Sequence, residues 1–344
     1  YPGQYRIQIE ADDGFDAVTL GGYQDPRHIT RVDQWAPQHR VGAAGDGFTG
    51  ADLSGLIRNQ DTCTLIPPFK YKDLTTLRNT FLQCYSISPN NWDWVPTELE
   101  SVTDMQNAFN YTSKNVSTAA ERESFPQLKT SSLLKNLESV FYASGIKGWV
   151  NNNGNTNEPL TNTSGVTNWK FAFAFCKIEN MVIDTQSATT LEGAFKGNSW
   201  TISPYFSAPD CTNFREIFKS CDQMTTMNPS ISNSTYINGI DFTSAWEGCS
   251  ALTSFPLIDT SSGTNFTDTF KGCSGLTSFP LLNTSSCTKF SGAFSACSQI
   301  TSMPLIDTSK GIQFNDCFRS MANLASMPLL DMSNGTTFAS CWNA

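Results

Sequence analysis

The sequence is short of charged residues, and of basic residues in particular. Only 15% of the chain is charged, and 31 Asp and Glu against 22 Lys and Arg give a net charge of −9. Proteins that bind nucleic acid need clusters of Lys and Arg against the phosphates, and no run of five basic residues occurs here. The charge balance therefore argues against a nucleic-acid partner.

Long apolar runs are also absent. No stretch approaches the ~18 apolar residues of a membrane-spanning helix, so the sequence predicts no membrane insertion. Residues 1–4 lack the charged and apolar regions of a signal peptide. We expect either that an upstream segment has been removed or that the sequence begins at a processing point, and both fit secretion and virion assembly.

Histidine is scarce, and the familiar catalytic motifs are missing. The two histidines, His28 and His39, lie outside the repeats described below, although a nucleophilic triad requires one. No Gly-x-Ser-x-Gly, Walker A or His-Glu-x-x-His motif occurs. Asp12, Asp13 and Asp16 could serve glycoside hydrolysis as paired carboxylates, but such neighbours in a loop are usually solvated. The sequence predicts a non-enzymatic protein without a cofactor.

What the sequence does contain is a repeat. Four copies of one unit begin at Leu252, Leu276, Ile300 and Leu324, which gives a period of 24 residues without a gap. A fixed period of ~20–50 residues is typical of a solenoid. Each coil of a solenoid has apolar edges that it cannot bury alone, and stacking the coils forms a continuous core.

The first half of each unit is expected to be a strand followed by a turn. In the copy that begins at Leu252, the residues Leu252, Phe255 and Leu257 space apolar side chains like the buried side of a short leucine-rich-repeat strand. Residues 259–263 read Asp-Thr-Ser-Ser-Gly, and such side chains favour a turn because they bond to local backbone amides or tolerate positive φ.

The second half of each unit carries an apolar trio spaced i, i+4 and i+7, which predicts one face of a short helix. The trio recurs back to Leu77 with looser spacing and inserted loops such as 149–163, so we expect about eleven coils over residues 61–344. The trios are Leu77/Phe81/Cys84, Met105/Phe109/Thr112, Leu137/Phe141/Ser144, Trp169/Phe173/Cys176, Leu191/Phe195/Asn198, Phe214/Phe218/Cys221, Phe242/Trp246/Cys249, Phe266/Phe270/Cys273, Phe290/Phe294/Cys297 and Phe314/Phe318/Met321, with Phe338/Trp342 as a partial copy.

These residues carry a family resemblance. Residues 293–300 read Ala-Phe-Ser-Ala-Cys-Ser-Gln-Ile, and the unit that contains them resembles the BspA-type leucine-rich repeat. The match is specific over residues 242–344 and fair over residues 61–241. The resemblance implies a right-handed leucine-rich-repeat solenoid that is extracellular or on a virion surface, usually for adhesion. The wording Pro-Leu-Ile-Asp-Thr-Ser is similar to versions in phage virion proteins and bacterial surface proteins.

Residues 1–60 form a separate piece. Residues 5–10 alternate in polarity and predict a strand, and residues 18–20 suggest a second one. This small β-containing piece is expected either to anchor the protein in an assembly or to cap the first coil, because terminal repeats need capping. The two roles do not exclude each other.

Cysteine and acidic residues fall in columns of the repeat. Six of the eleven cysteines occupy the last position of a trio, which predicts a ladder of buried free thiols, and no Cys-x-x-Cys pair supports a zinc site. Asp259, Asn283, Asp307 and Asp331 share another position. Their oxygen atoms could hold Ca²⁺, but the favoured interpretation is that each residue starts an Asx-turn. The sequence thus predicts no metal site.

Two sets of residues are candidate contacts. A row of small hydroxyl residues flanks the apolar strand positions, and we name it the hydroxyl ridge. It is expected to bind a glycan or protein of a host or neighbouring cell, although any solvated strand carries such residues. Its members are Thr253, Ser254, Thr277, Ser278, Thr301, Ser302 and Ser326.

The second set consists of Phe338 and Trp342 in the partial last copy. They are expected either to fold over the stack as a plug or to form an assembly contact through self-association or docking. The ridge favours an adhesin or receptor-binding protein, and the aromatic pair favours a coat, fibril or decoration subunit. The sequence does not decide between these two functions.

Overall fold

The computed structural model describes residues 48–49, 71–72, 74–85, 95, 97–112, 125–146, 149–151, 154–156, 158–176, 181–228 and 239–342. The strands predicted at 5–10 and 18–20, both histidines and the acidic cluster at 12–16 lie outside these described residues.

The described chain is organised by one ladder of parallel bridges. Each bridge joins a residue of one coil to the equivalent residue of the next, and we call these ladder residues. Their spacing varies up to Asp241 and equals the regular repeat period from there on. A coil is the segment from one ladder residue to the next. The ladder residues are Thr76, Asp104, Asn136, Asn168, Thr190, Asn213, Asp241, Asn265, Lys289, Gln313 and Thr337.

Regular strands are short and lie in the N-terminal half of the described chain. Three pairs are parallel: β1 with β2, β3 with β5, and β4 with β6. The antiparallel pair β6–β7 occupies the segment in which the sequence predicts an inserted loop. The strands are β1 (Phe48–Thr49), β2 (Tyr71–Lys72), β3 (Glu98–Leu99), β4 (Phe125–Pro126), β5 (Lys129–Thr130), β6 (Trp149–Asn151) and β7 (Gly154–Thr156).

The prediction of a short helix at each trio is wrong, because no described residue is α-helical. Each trio begins directly after a ladder residue and forms two linked turns. In the coil of Asn265, the amides of Thr269 and Cys273 donate to the carbonyls of Phe266 and Phe270, at 3.2 and 3.0 Å. The alternate amides of Phe266, Asp268, Phe270 and Gly272 donate instead to carbonyls of the next coil, at 2.8–2.9 Å.

Backbone dihedrals explain why these turns replace a helix. The third and seventh residues after a ladder residue take positive φ in every coil where they are described, and a right-handed helix cannot contain them. Most of these residues are not glycine, which is unusual because their Cβ atoms crowd the backbone in this region. The inter-coil hydrogen bonds hold both columns in the left-handed conformation.

The trio side chains form the core and stack from coil to coil. Phe270 packs between Trp246 and Phe294 with ring centroids 5.4 and 5.8 Å apart and interplanar angles of 7° and 10°. Phe255 meets Phe270 edge to face at 4.8 Å. Both geometries are favourable for aromatic pairs, so the aromatic columns stabilise the stack from its interior.

The ten described cysteines are buried and free, which confirms the prediction of buried thiols for the six at the last position of a trio. Within this ladder, the Sγ atoms of Cys273 and Cys297 lie 3.1 Å from the carbonyl oxygens of Trp246 and Phe270 in the preceding coil. Burial raises the pKa of the Cys297 thiol to about 12. A thiol held neutral in this way acts as packing material and as a weak donor.

The strand predicted in the first half of each unit is absent from residues 252–258 and from the equivalent residues of the later copies, which form only the isolated bridge between Ser302 and Ser326. One core position also differs from the prediction. Leu257, expected in the core with Leu252 and Phe255, is 48% exposed, and its neighbour Ile258 is buried instead. The cause is visible in the next two copies, where the amides of Leu282 and Ile306 donate to the carbonyls of the prolines two residues earlier, at 2.9 Å. This three-residue turn places the intervening leucine at its tip.

Candidate binding face

The structure places every residue of the hydroxyl ridge at the surface. The Thr hydroxyls are partly engaged within the stack, because Oγ1 of Thr253 and Thr277 donates to the carbonyl of the preceding coil at 3.2 and 3.4 Å. No described residue forms a hydrogen bond with the hydroxyls of Ser254 or Ser278. The serine row is therefore better able than the threonine row to donate hydrogen bonds to a partner.

Next to the hydroxyl ridge runs a row of exposed leucines that the sequence interpretation had placed in the core. We call Leu257, Leu281, Leu305 and Leu329 the leucine column, since each lies eight residues before a ladder residue. Their exposed fractions are 48%, 60%, 62% and 96%. Each leucine holds the same position in its coil, and consecutive coils are joined by parallel bridges, so the column presents neighbouring apolar side chains to solvent.

An acidic row lies two residues further along each coil. The carboxylate or amide oxygen Oδ1 of Asp259, Asn283, Asp307 and Asp331 accepts a bond from the amide two residues later, at 2.9–3.1 Å. These are Asx-turns, and the Ser309 hydroxyl and amide hold the pKa of Asp307 below its ordinary value. In the part of the chain that the structure describes, no group of three or more His, Cys, Asp and Glu is arranged to hold a metal ion.

A buried threonine column fixes the register of this face. Oγ1 of Thr260, Thr284 and Thr308 donates to the carbonyl of the residue that starts the turn in the next coil, each at 2.7 Å. Each of these side chains is at most 2% exposed. Since a buried hydroxyl must find a partner, every such threonine ties one coil to the next and thereby aligns the leucines outside.

The face changes character where Val182 and Tyr205 take the leucine position, in the coils that lead to Thr190 and Asn213. There the surface sinks into an open groove with a volume of about 320 Å³, which we call the Tyr205 groove. The groove is lined by Glu158, Leu160, Thr161, Asn162, Thr163, Val182, Ile183, Asp184, Thr185, Gln186, Tyr205 and Ser207.

A row of aromatic side chains lies a few residues after the ladder residues in the first coils. Tyr85, Tyr111, Tyr142, Phe171 and Phe175 form an aromatic row with centroid distances of 5.4–6.2 Å between neighbours. Partial burial and then the neighbouring Tyr111 raise the pKa of Tyr142. These rings face one another and contribute to packing more than to an open surface.

An ion network joins neighbouring coils near the end of this row. The Lys196 and Lys219 ammonium groups lie 2.7 and 3.5 Å from Glu216, and Lys219 also lies 2.9 Å from Glu247. Burial opposes ionisation of Glu216, but the hydrogen bond and charge of Lys196, helped by Lys219, outweigh it and lower the pKa. The network therefore needs an ionised Glu216.

The predicted assembly contacts lie side by side at the surface. Phe338 is 38% and Trp342 is 54% exposed, and their rings stack at 6.4 Å. Each also stacks on the preceding coil, on Phe314 at 5.4 Å and on Phe318 at 6.3 Å. The pair thus continues the core columns while keeping surface available for contact.

Sequence reasoning missed the leucine column and the Tyr205 groove. A signal for the column was present, because Leu257 and Ile258 are adjacent and neighbouring side chains of an extended chain point to opposite faces, so only one of them can face the core. No comparable signal marked Tyr205, since the spacing of its coil departs from the regular period.

No helix in the described residues is both long and apolar enough to cross a bilayer. Comparison of the chain with protein-family models, with curated proteins and with solved structures finds no match.

Proposed function

We propose that this chain is a non-enzymatic binding protein displayed on a virion or cell surface, where it acts as an adhesin or receptor-binding component. We propose further that it is a leucine-rich-repeat solenoid of BspA type, with residues 1–60 as an anchoring or capping module. The ladder of parallel bridges and the recurring trios support this architecture. The binding role needs a separate argument from the surface.

The leucine column is the observation that carries the binding role. Burying a leucine contributes ~1.5–3 kcal/mol to the stability of a folded protein. Much of this contribution is lost in each successive coil, because its leucine stays exposed. A single exposed leucine is ordinary, but a contiguous row of them usually marks an interaction site. Since a polar residue at the tip of the turn would serve the fold equally well, the column is best explained by a partner that covers it.

The hydroxyl ridge supplies the polar component of the same face. Protein interfaces combine an apolar centre with hydrogen bonds at the rim, and along each coil a serine of the ridge precedes the leucine while an Asx-turn side chain follows it. A glycan or a protein of a host or neighbouring cell could use both components. The face therefore supports adhesion without requiring catalysis.

The test removes the column without disturbing the core. The triple variant Leu257→Ser, Leu281→Ser, Leu305→Ser should keep its unfolding midpoint, because the three side chains are about half or more exposed. Binding of the labelled protein to its target cells should fall at least about tenfold, which corresponds to ~1.4 kcal/mol. A second variant, Ser254→Arg with Ser278→Arg and Ser302→Arg, should lose binding by steric exclusion.

A matched control uses exposed apolar residues away from the column. Ile240 and Ile312 are 43% and 42% exposed and lie immediately before ladder residues. The variant Ile240→Ser, Ile312→Ser should bind as the unchanged protein does. Equal binding by the control and the leucine variant would remove the column as the contact, and binding that survives in the arginine variant as well would reject the whole face.

A second candidate function is a structural one, as a coat, fibril or decoration subunit. The exposed stack of Phe338 and Trp342 favours it, because aromatic side chains are enriched at interfaces. Immunogold labelling of the native particle or cell separates the two functions. Label confined to tail tips or fibre ends supports receptor binding, whereas label spread over a head, shaft or filament supports the structural role.

A further inference from the structure

Tyr205 differs from every other aromatic residue whose side chain the structure describes, because its ring contacts no other described ring. The remaining aromatic side chains all belong to stacked, tilted or edge-to-face pairs, from Phe81 with Phe109 to Phe338 with Trp342. The Tyr205 side chain is also 41% exposed to solvent. Its ring is thus available to a ligand.

Phe175 is as exposed as Tyr205, but its ring already has neighbours. It is also 41% exposed, yet it packs against Tyr142 at 5.5 Å and has the Lys196 ammonium 6.0 Å from its centroid. A Cβ placed on Gly197 would lie 2.3 Å from a ring carbon of Phe175, so the glycine backbone lies close against the ring. The two residues are equally exposed, and they differ in that no other described ring packs against Tyr205.

The floor of the Tyr205 groove is apolar and its rim is polar. Leu160 and Ile183 are 4% and 7% exposed, and Val182 beside Tyr205 is 57% exposed. These side chains exclude a ligand that is polar on all sides. An apolar ring face could lie across Val182 and Tyr205 with little loss of hydration.

The rim offers hydrogen-bonding groups that the described structure does not use. The Asn162 Oδ1 atom accepts from the amide and the hydroxyl of Ser164, at 3.0 and 2.7 Å, and Oδ1 of Asp184 accepts from the amide of Gln186 at 3.0 Å. The Asn162 Nδ2 group, the second Asp184 oxygen, the Gln186 side-chain amide and the Tyr205 hydroxyl make no hydrogen bond to a described residue. The groove thus combines donors and acceptors around one open ring.

We propose that the Tyr205 groove binds a neutral pyranose sugar, whose apolar ring face lies on Tyr205 and whose hydroxyls bond to Asn162, Asp184 and Gln186. A pyranose has this combination of one apolar face and a polar rim, and a volume of about 320 Å³ is at the lower end of the ~300–1,000 Å³ found for small-molecule sites. The carboxylates of Glu158 and Asp184 disfavour anionic sugars. The proposal deepens the binding role proposed above and rests on it.

The experiment measures saturation-transfer difference NMR of the full chain with methyl glucoside, methyl galactoside, methyl mannoside, methyl N-acetylglucosaminide and sialic acid as probes. At least one neutral glycoside should receive saturation, and sialic acid should receive none. Tyr205→Ala should weaken binding at least about tenfold, Tyr205→Phe should retain it within a few-fold because the ring remains, and Phe175→Ala should leave it unchanged. Circular dichroism checks that each variant is folded.

Three outcomes would overturn the proposal: no saturation of any neutral glycoside, unchanged binding by folded Tyr205→Ala, or loss of binding in Phe175→Ala alone. The cell-binding assay keeps this result separate from the proposed function. If the leucine variant loses cell binding while no glycoside binds, the groove proposal fails and the binding role stands. If the glycoside binds through Tyr205 while cell binding survives every change to the leucines and serines, the sugar site stands and the proposed contact face fails.

Discussion

An exchange of alanine and glycine tests the turns that replace the predicted helix. Ala296 and Gly272 occupy the same position of neighbouring coils, seven residues after a ladder residue, with φ of 59° and 74°. We expect Ala296→Gly to stabilise the protein and Gly272→Ala to destabilise it. A helix at this position would reverse both signs, because glycine is ~1 kcal/mol less favourable than alanine in a helix interior.

The magnitude follows from two opposing contributions. A residue with a Cβ atom costs ~1–2 kcal/mol in the left-handed region, and glycine loses ~0.5–1 kcal/mol more backbone entropy on folding. The difference leaves about 0.5–1 kcal/mol in favour of glycine. Steric overlap adds little at Gly272, since an added Cβ would lie no closer than 3.7 Å to its nearest neighbours, the Cα and amide nitrogen of Gly248.

The assay is urea unfolding followed by tryptophan fluorescence. Stacked repeats need not unfold in one step, so midpoints are compared only between variants whose unfolding transitions have the same slope. Ser320→Gly repeats the test at an exposed residue with φ of 56°. Ala325→Gly is the control, since Ala325 has no positive φ, and it should lower stability by ~0.5–1 kcal/mol. Destabilisation by Ala296→Gly together with stabilisation by Gly272→Ala would refute the turn geometry.

Two further predictions concern the links between coils. Thr284→Val should lower the free energy of unfolding by ~1–3 kcal/mol, because it leaves the Asp307 carbonyl without its 2.7 Å donor, while the same change at the exposed Thr277 should stay within ~0.5 kcal/mol. Glu216→Gln should cost about 1 kcal/mol at pH 7. Since the folded-state pKa of Glu216 is lowered, this contribution is present above its unfolded pKa of ~4.3 and is lost as the pH falls through the folded pKa. The two proteins should therefore converge in stability as the pH falls through the folded-state pKa of Glu216, and a difference that stays constant as the pH is lowered would contradict the ionic origin.

The sequence was sufficient to locate the trio that follows each ladder residue of the described chain, and the reason is physical. A ring at Phe270 can be covered only by equivalent rings above and below, so the core positions must recur with the coil. The trio that begins at Leu77 was recognisable for the same reason, although the interval to the next trio is longer than the regular period. The register of the early coils therefore follows from the need to stack core side chains on one another, and not from a constant number of residues per coil.

The conformation of each trio was not accessible in the same way. Apolar residues at i, i+4 and i+7 lie on one face of a helix, but two linked turns bring the same residues to one face. Asp268 with its φ of 54° looks in sequence like any helix-surface residue. Its conformation is decided by the hydrogen bond from its amide to Ser291 in the next coil, which is a tertiary contact.

The choice between Leu257 and Ile258 also depends on tertiary structure. Both are large and apolar, and Leu257 is the exposed one, as are Leu281 and Leu305 at the tips of the turns that begin at the equivalent prolines. Exposure of the leucine in four consecutive copies turns this local choice into a surface property.

A face built from repeats can bind strongly, but repetition limits what it can distinguish. Leu257, Leu281 and Leu305 present the same group at each step, so a partner gains contact area from every coil and yet meets no unique register. Specificity must come from a place where the repeat is broken. Tyr205 stands at such a place, because its own coil and the preceding one are shorter than the regular C-terminal copies, the following coil is longer, and the leucine position holds an aromatic ring. Loss of Tyr205 should therefore change which partner is selected, whereas loss of the leucines should weaken every partner alike.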